Sequence, residues 1–336
     1  MNKKRWIALI IAVGVFIFSL LVNTVTSVFL PDENEGLAEM FNTTESEFTE
    51  TVLEEGSSMN KILVLEVNGV IQDTGNNTSP FSQEGYNHQV FLDQLEAAKE
   101  DELVKGLIIK VNSPGGGVVE SSEIHNKIEQ FKKETKKPVY VSMGSMAASG
   151  GYYISTAADK IYAIPDTLTG SLGVIMQSIN YGKLAERLGV EDVTIKSGAH
   201  KDIMSPTRDM TKEEQQMMQT LVDHSYNGFV DVISKGRNLS KEEVRKIADG
   251  RIYDGRQAKE LKLVDELGFF EDSINGMKKE HKLKGAQVVQ YDQGFGLPSW
   301  LSMSMKKITG GDQELSKILK TFAEPNSPRL MYLYAE

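Results

Sequence analysis

From Lys61 onward, short apolar runs alternate with stretches of helical period. Residues 62–67, 106–111, 138–143 and 160–164 are compact apolar segments, rich in Val and Ile, and of the length expected for strands buried on both faces. Between them, residues 88–99 and 118–133 repeat apolar positions at a spacing that gives one buried helical face. Strand and helix in alternation predict an α/β domain with a largely parallel sheet, and chemistry carried by the loops at strand ends. Farther on, residues 211–235 predict one long helix opened by the capping box Thr211-Lys212-Glu213-Glu214. Residues 240–248 predict another, with a similar start from Ser240 to Glu243.

The two ends of the chain follow different patterns. Lys3, Lys4 and Arg5 precede residues 6–22, which carry no charge, and the apolar character resumes at Val28, Phe29 and Leu30. Residues 6–30 are long enough to cross a bilayer, with the basic end 1–5 in the cytoplasm and the rest of the chain outside it. Asn23-Thr24-Val25 and Val25-Thr26-Ser27 are poor matches to a small-x-small cleavage site, which favours a retained anchor over a cleaved signal. Residues 31–59 hold many Asp and Glu but neither Lys nor Arg, and read as an acidic flexible linker. Residues 60–291 then form the main domain. Residues 292–336 form a C-terminal extension with a helical patch at 315–322 and an apolar tail at 330–335.

Composition narrows the function classes. The formal net charge of −10 over 336 residues, with no strong basic block, argues against a nucleic-acid partner. The absence of cysteine excludes disulfides, thiolate catalysis and Cys-ligated metals. No metal site or cofactor is expected.

Three segments are unusual for core-forming sequence. Asn112-Ser113-Pro114-Gly115-Gly116-Gly117 lies between a strand and a helix, where glycines can expose backbone N–H groups to a negative group, or simply make a flexible turn. Ser145 to Ile154 crowds small residues around Ser149 at another strand-to-helix junction. Ser149 there is either a nucleophile with the Gly150 N–H beside it or an ordinary helix cap. Ala147 stands where the Gly-x-Ser-x-Gly elbow has its first glycine, so the α/β-hydrolase fold is not supported. The third segment, Ile195 to Pro206, offers Lys196, His200 and Lys201 as candidate bases. Ile203, Met204 and Pro206 could desolvate a lysine and lower its pKa. The remaining histidines, His88, His125, His224 and His281, read as surface residues of helices.

Val141 to Tyr153, Asn112 to Gly117, Thr169-Gly170-Ser171-Leu172-Gly173-Val174 and Lys196 to Asp202 together resemble the signal peptide peptidase A family, in its short single-domain bacterial form. The likeness runs from about Lys61 to Gly268 and takes in Asp249 to Ala258 and Val264 to Gly268. It implies the fold of Clp-type peptidases and crotonases, built of repeated ββα units. It also implies a Ser/Lys dyad: Ser149 as nucleophile, Lys201 as general base, Ser171 orienting the lysine, and the Gly116 and Gly150 N–H groups as oxyanion hole, with His200 a bystander. In the family's long forms one tandem copy supplies the lysine and the other the serine. A single copy therefore implies a homo-oligomeric ring, an octamer, with the dyad shared between neighbours. The implied task is endopeptidase degradation of remnant signal peptides after their release from preproteins, at the extracytoplasmic face of the cell membrane. The tail at 330–335 is itself like a signal-peptide fragment.

Three other readings compete. A crotonase-type acyl-CoA enzyme explains the glycines but not the anchor. A Clp-type Ser-His-Asp peptidase lacks a histidine between Ser149 and His200. A non-catalytic membrane scaffold has no use for the dyad residues.

Overall fold

The computed structural model describes residues 48–75, 86–292 and 330–334. The predicted anchor at 6–30 and the helical patch at 315–322 lie outside those residues. Among the described residues, no helix is long and apolar enough to cross a membrane.

The chain is a mixed α/β fold. Its elements in order are β1 (Thr49–Glu54), β2 (Ser57–Asn68), α1 (His88–Glu100), β3 (Val104–Ser113), β4 (Gly115–Gly117), α2 (Val118–Thr135), β5 (Val139–Ala148), α3 (Gly150–Ser155), β6 (Lys160–Ala163) and β7 (Leu168–Gly170). There follow α4 (Gly182–Arg187), α5 (Lys212–Arg237), α6 (Lys241–Ile247), β8 (Ile252–Tyr253), α7 (Gly255–Glu260), β9 (Glu266–Leu267), α8 (Phe270–Glu280), β10 (Ala286–Asp292) and β11 (Met331–Leu333). The main sheet runs β1-β10-β2-β3-β5-β6-β9, with β7 added beside β5 and β8 beside β7. The pairings from β10 to β9 are parallel, as is that of β7 with β5.

The apolar runs explain the centre of this sheet. Leu63, Leu107 and Val139 stand in register across β2, β3 and β5, and all three are buried. One face packs Ile62, Val64, Ile108, Tyr140 and Tyr162 against Ile274 and Met277 of α8. Gly106 lies beneath that helix, because a Cβ there would lie 2.5 Å from the Met277 sulfur. Side chains alternate across a strand, so Leu65 and Ile109 turn to the opposite face, on the side of α1, α2 and α3. Both capping boxes form, Thr211 with Glu214 and Ser240 with Glu243. Residues 49–54, which read as the end of the linker, pair with β10 as an edge strand and remain largely exposed, as their polar sequence demands. His88 departs from its surface reading. It is 4% exposed, with its ring nitrogens 2.7 Å from the Tyr86 hydroxyl and 3.1 Å from the Glu123 carboxylate.

Helix α3 is anchored from below. The Tyr152 hydroxyl donates to the Leu263 carbonyl (2.8 Å), and Arg237 at the end of α5 donates to the Lys262 carbonyl (2.9 Å) and to both oxygens of Asp265 (2.7 and 2.9 Å). Arg237 is 6% exposed and Asp265 31%, so removing the arginine strands a half-covered carboxylate. Arg237→Ala is expected to cost about 2 to 3 kcal/mol, below the range for a fully buried pair. Urea melts check this, and an unchanged midpoint would show that the pair contributes nothing.

Candidate active site

The register of three adjacent parallel strands brings the predicted segments together. Ser113 at the end of β3 pairs with Ala147, and Ala148 at the end of β5 pairs with Gly170 at the end of β7. The glycine loop, Ser149 and Ser171 therefore leave the sheet side by side at its carboxyl edge, where parallel sheets expose their loops.

Ser149 does not cap α3. Its backbone lies at φ 52° and ψ −112°, and its side chain makes no capping bond. Its N–H donates to the Gly170 carbonyl (2.8 Å), and its own carbonyl accepts from Tyr153 (2.8 Å). The hydroxyl is buried, at 1% exposure for the residue, and has no hydrogen-bond partner. Positive φ in a non-glycine residue costs about 1 to 3 kcal/mol, and a buried hydroxyl without a partner costs a similar amount. Two penalties at one residue distinguish it from a structural cap.

Gly116 and Gly150 are brought into contact. A Cβ on Gly150 would lie 3.0 Å from the Gly116 nitrogen and 2.6 Å from the Ser121 hydroxyl oxygen. Gly115, at φ 103°, presses equally close, since its Cβ would lie 2.6 Å from the Gly150 nitrogen. Ile71 fixes the loop from the far side: its N–H donates to the Gly115 carbonyl and its carbonyl accepts from Gly117, both at 2.8 Å. The backbone nitrogens of Gly116 and Gly150 thus border one small space next to Ser149. Ser171 is also at positive φ (51°), held by its N–H to the Arg251 carbonyl (2.8 Å), and its hydroxyl has no hydrogen-bond partner among the described residues.

Lys201 is not joined to Ser149 within the chain. It is exposed, so the desolvation expected from Ile203, Met204 and Pro206 is not met in a single chain. The structure does separate it from its rivals. Lys196 is paired with Asp202 (2.6 Å), and His200 lies 3.5 Å from the buried carboxylate of Glu214. Arg208 bridges Asp202 and Glu214, at 2.7 Å to each. Among the described residues Lys201 alone of the three has no ion pair or side-chain hydrogen bond.

The tail enters this site. β11 pairs antiparallel with β4, Tyr332 opposite Gly116, and Met331 exchanges 3.1 Å main-chain bonds with Ile175 on its other side. The Tyr332 ring is buried, stacked on Tyr153 (4.8 Å between centroids) and tilted against Phe229 (4.6 Å), and its hydroxyl donates to the Ser225 carbonyl (3.0 Å). This aromatic pocket and Ile71 escape sequence reading. Only the apolar tail itself gave a signal.

The network around Lys201 is pH-sensitive in a definite direction. Hydrogen bonds from Arg208 and the Thr211 N–H hold Glu214 down to about 2, and Arg208 and Lys196 hold Asp202 below the usual carboxylate range. Carboxylates with depressed pKa stabilise above their ordinary pKa and lose that contribution as pH falls through the folded value. The network is therefore expected to be intact above about pH 4.5 and released towards about pH 2. Hydrogen exchange of residues 196–214 checks this, and protection unchanged across that window contradicts it.

The peptidase family S49 model matches residues 131–284, and the Clp protease model matches residues 77–171. A protein of Enterococcus faecium named as a signal peptide peptidase SppA is 44% identical over 99% of both chains. A protease of Methanocaldococcus jannaschii is 38% identical over 68% of this chain and 75% of its own. Protease 4 of Haemophilus influenzae is 34% identical over 84% of this chain but only 48% of its own length. The chain belongs to peptidase family S49, and it is a serine peptidase.

Proposed function

We propose that the chain is a membrane-anchored endopeptidase in which Ser149 is the nucleophile and Lys201 of a neighbouring copy is the general base, acting on remnant signal peptides outside the cytoplasm. The observation that carries this reading is the buried, unpartnered hydroxyl of Ser149 on a strained turn. As the Ser149 oxygen bonds to the scissile carbonyl carbon, its proton passes to the lysine amine. The carbonyl π pair moves onto oxygen, between the N–H groups of Gly116 and Gly150. Collapse of the intermediate breaks the C–N bond, and the lysine returns its proton to the departing amine. Water then attacks the acyl-enzyme by the same route, releasing the acid and restoring Ser149. Ser171 orients the amine.

Sharing of the dyad is supported by the segment that carries Lys201. Ile179, Leu188, Val193 and Ile195 are exposed there, Ile195 at 97%. Exposed apolar side chains on the segment that carries an unpaired lysine suit a contact between copies, repeated around a closed ring, which we assign as an octamer. Residues 6–30 serve as the anchor, residues 60–291 as the peptidase domain. The tail strand, laid along Gly115–Gly117 with Tyr332 in an aromatic pocket, is the reading's model for how a substrate lies.

Covalent labelling by a serine-reactive probe is expected in wild type and absent in Ser149→Ala; labelling of the variant would remove the nucleophile assignment. Mixing inactive Ser149→Ala with inactive Lys201→Ala is expected to restore activity in co-assembled rings, and no recovery would count against a shared site. A lysine base must lose its proton to act, so activity rises towards alkaline pH, whereas a profile complete by neutrality would point to His200. Deleting residues 330–336 is expected to lower KM for added peptide by clearing the groove, and an unchanged KM would show that the tail does not occupy it.

A further inference from the structure

Ser149 is one of two residues among those described whose side-chain polar atom is buried and without a partner; the other is Ser121. Ser121 is fully buried in the first turns of α2, the helix that begins where the glycine loop ends. A buried helical serine has an easy partner in the carbonyl one turn back, and Ser121 does not take it. Its oxygen instead lies against the Gly150 α-carbon, 2.6 Å from the position a Cβ would take, and the Gly116 nitrogen lies 3.0 Å from that same point. The hydroxyl therefore shares its surroundings with both N–H groups assigned above to the oxyanion.

An orphan hydroxyl at this depth costs about 1 to 3 kcal/mol, and alanine would avoid that cost while favouring the helix. Packing gives no reason for the oxygen. A state of the enzyme that places a negative charge beside Gly116 and Gly150 does, because it supplies the missing acceptor. We propose that Ser121 is a further catalytic residue of the peptidase, its hydroxyl donating to the oxyanion of the tetrahedral intermediate alongside the Gly116 and Gly150 N–H groups. This rests on Ser149 being the nucleophile. It also explains why position 150 is glycine: any side chain would displace the Ser121 oxygen and the Gly116 nitrogen together.

The test is Ser121→Ala in the full-length enzyme. The expected result is a kcat lower by about 100-fold, the lower end for loss of one oxyanion donor, with KM unchanged. A peptide aldehyde, which forms a tetrahedral adduct on the serine, should bind about tenfold more weakly, and Tm should hold or rise. If kcat and aldehyde affinity stay within about twofold of wild type, the inference is overturned. If Tm falls with kcat, Ser121→Cys decides: it fills the space with a slightly larger group that is a weak donor. A kcat still low with Tm restored supports the hydroxyl's role, and recovery of both assigns Ser121 to packing. Probe labelling separates this from the underlying assignment: labelling that persists in Ser149→Ala removes both, whereas normal Ser149 labelling with unaffected Ser121→Ala kinetics removes Ser121 alone.

Discussion

The 2.8 Å bond from the Ser149 N–H to the Gly170 carbonyl ties the end of β5 to the end of β7 at the residue where β5 must stop. That bond is the last rung of the parallel ladder pairing Ala148 with Gly170, and its donor, Ser149, is the residue at which β5 leaves the sheet. It turns to φ 52°, which tilts the chain into α3 and directs the side chain away from the helix it would otherwise cap. Gly150 follows immediately and must be bare, because Gly115, Gly116 and Ser121 press on its α-carbon. On the far side Ser171 repeats the device at φ 51°, tied to Arg251. The pairings of β3 with β5 and of β5 with β7, with Ile71 behind the glycine loop, set the positions of these groups at the sheet's carboxyl edge, and the Arg237, Asp265 and Tyr152 contacts anchor α3 beside them.

The energetics divide the molecule in the same way. Across the sheet the apolar residues are buried, and Asn87, Thr211, Ser240 and Asp254 cap their helices, so local and global preferences agree there, as they do in a sequence that folds to one state. At the edge they disagree, with two positive-φ serines and two buried hydroxyls without partners. Natural chains carry such costs where function needs them. Positive φ also occurs at Lys136, Met204, Asn238, Lys262 and Lys282, but among the described residues both buried hydroxyls without partners fall at this edge, and that confinement marks the site independently of any likeness to other proteins.

That confinement also explains what could be read from the sequence. Long elements with a period were legible: β2, β3, β5, α1 and α2 lie where the apolar pattern places them, and Thr211 and Ser240 cap their helices as their spacing predicts. β4, β7, β8, β9 and β11 are two or three residues long and have no period to read. They form because neighbouring strands offer partners, which is tertiary information. The spacing around Ser149 is equally that of a cap or an elbow, and only its φ and the bond to Gly170 separate them. Lys196, His200 and Lys201 are equivalent in sequence. Asp202 and Glu214 distinguish them by occupying the first two, and Glu214 was legible only as the end of a capping box, its bridge to Arg208 being invisible to spacing.

The separation of Ser149 from Lys201, the proposed nucleophile and base, has a physical logic of its own. Ser149 is buried at the end of a strand paired on both sides, whereas Lys201 is exposed on a segment held by ion pairs rather than by a core. The Ser149 hydroxyl has no partner among the described residues of its own chain, so on the proposed reading a second copy brings the lysine. Covering an apolar side chain such as Ile195, Val193 or Leu188 gains about 1.5 to 3 kcal/mol each, so a handful at each contact offsets the 4 to 15 kcal/mol that association costs. The same covering would strip water from Lys201, supplying the desolvation that its own chain does not. A peptidase built this way has no competent base while its copies are apart, and the exposed apolar side chains that look like a defect of the single chain become the condition for its chemistry.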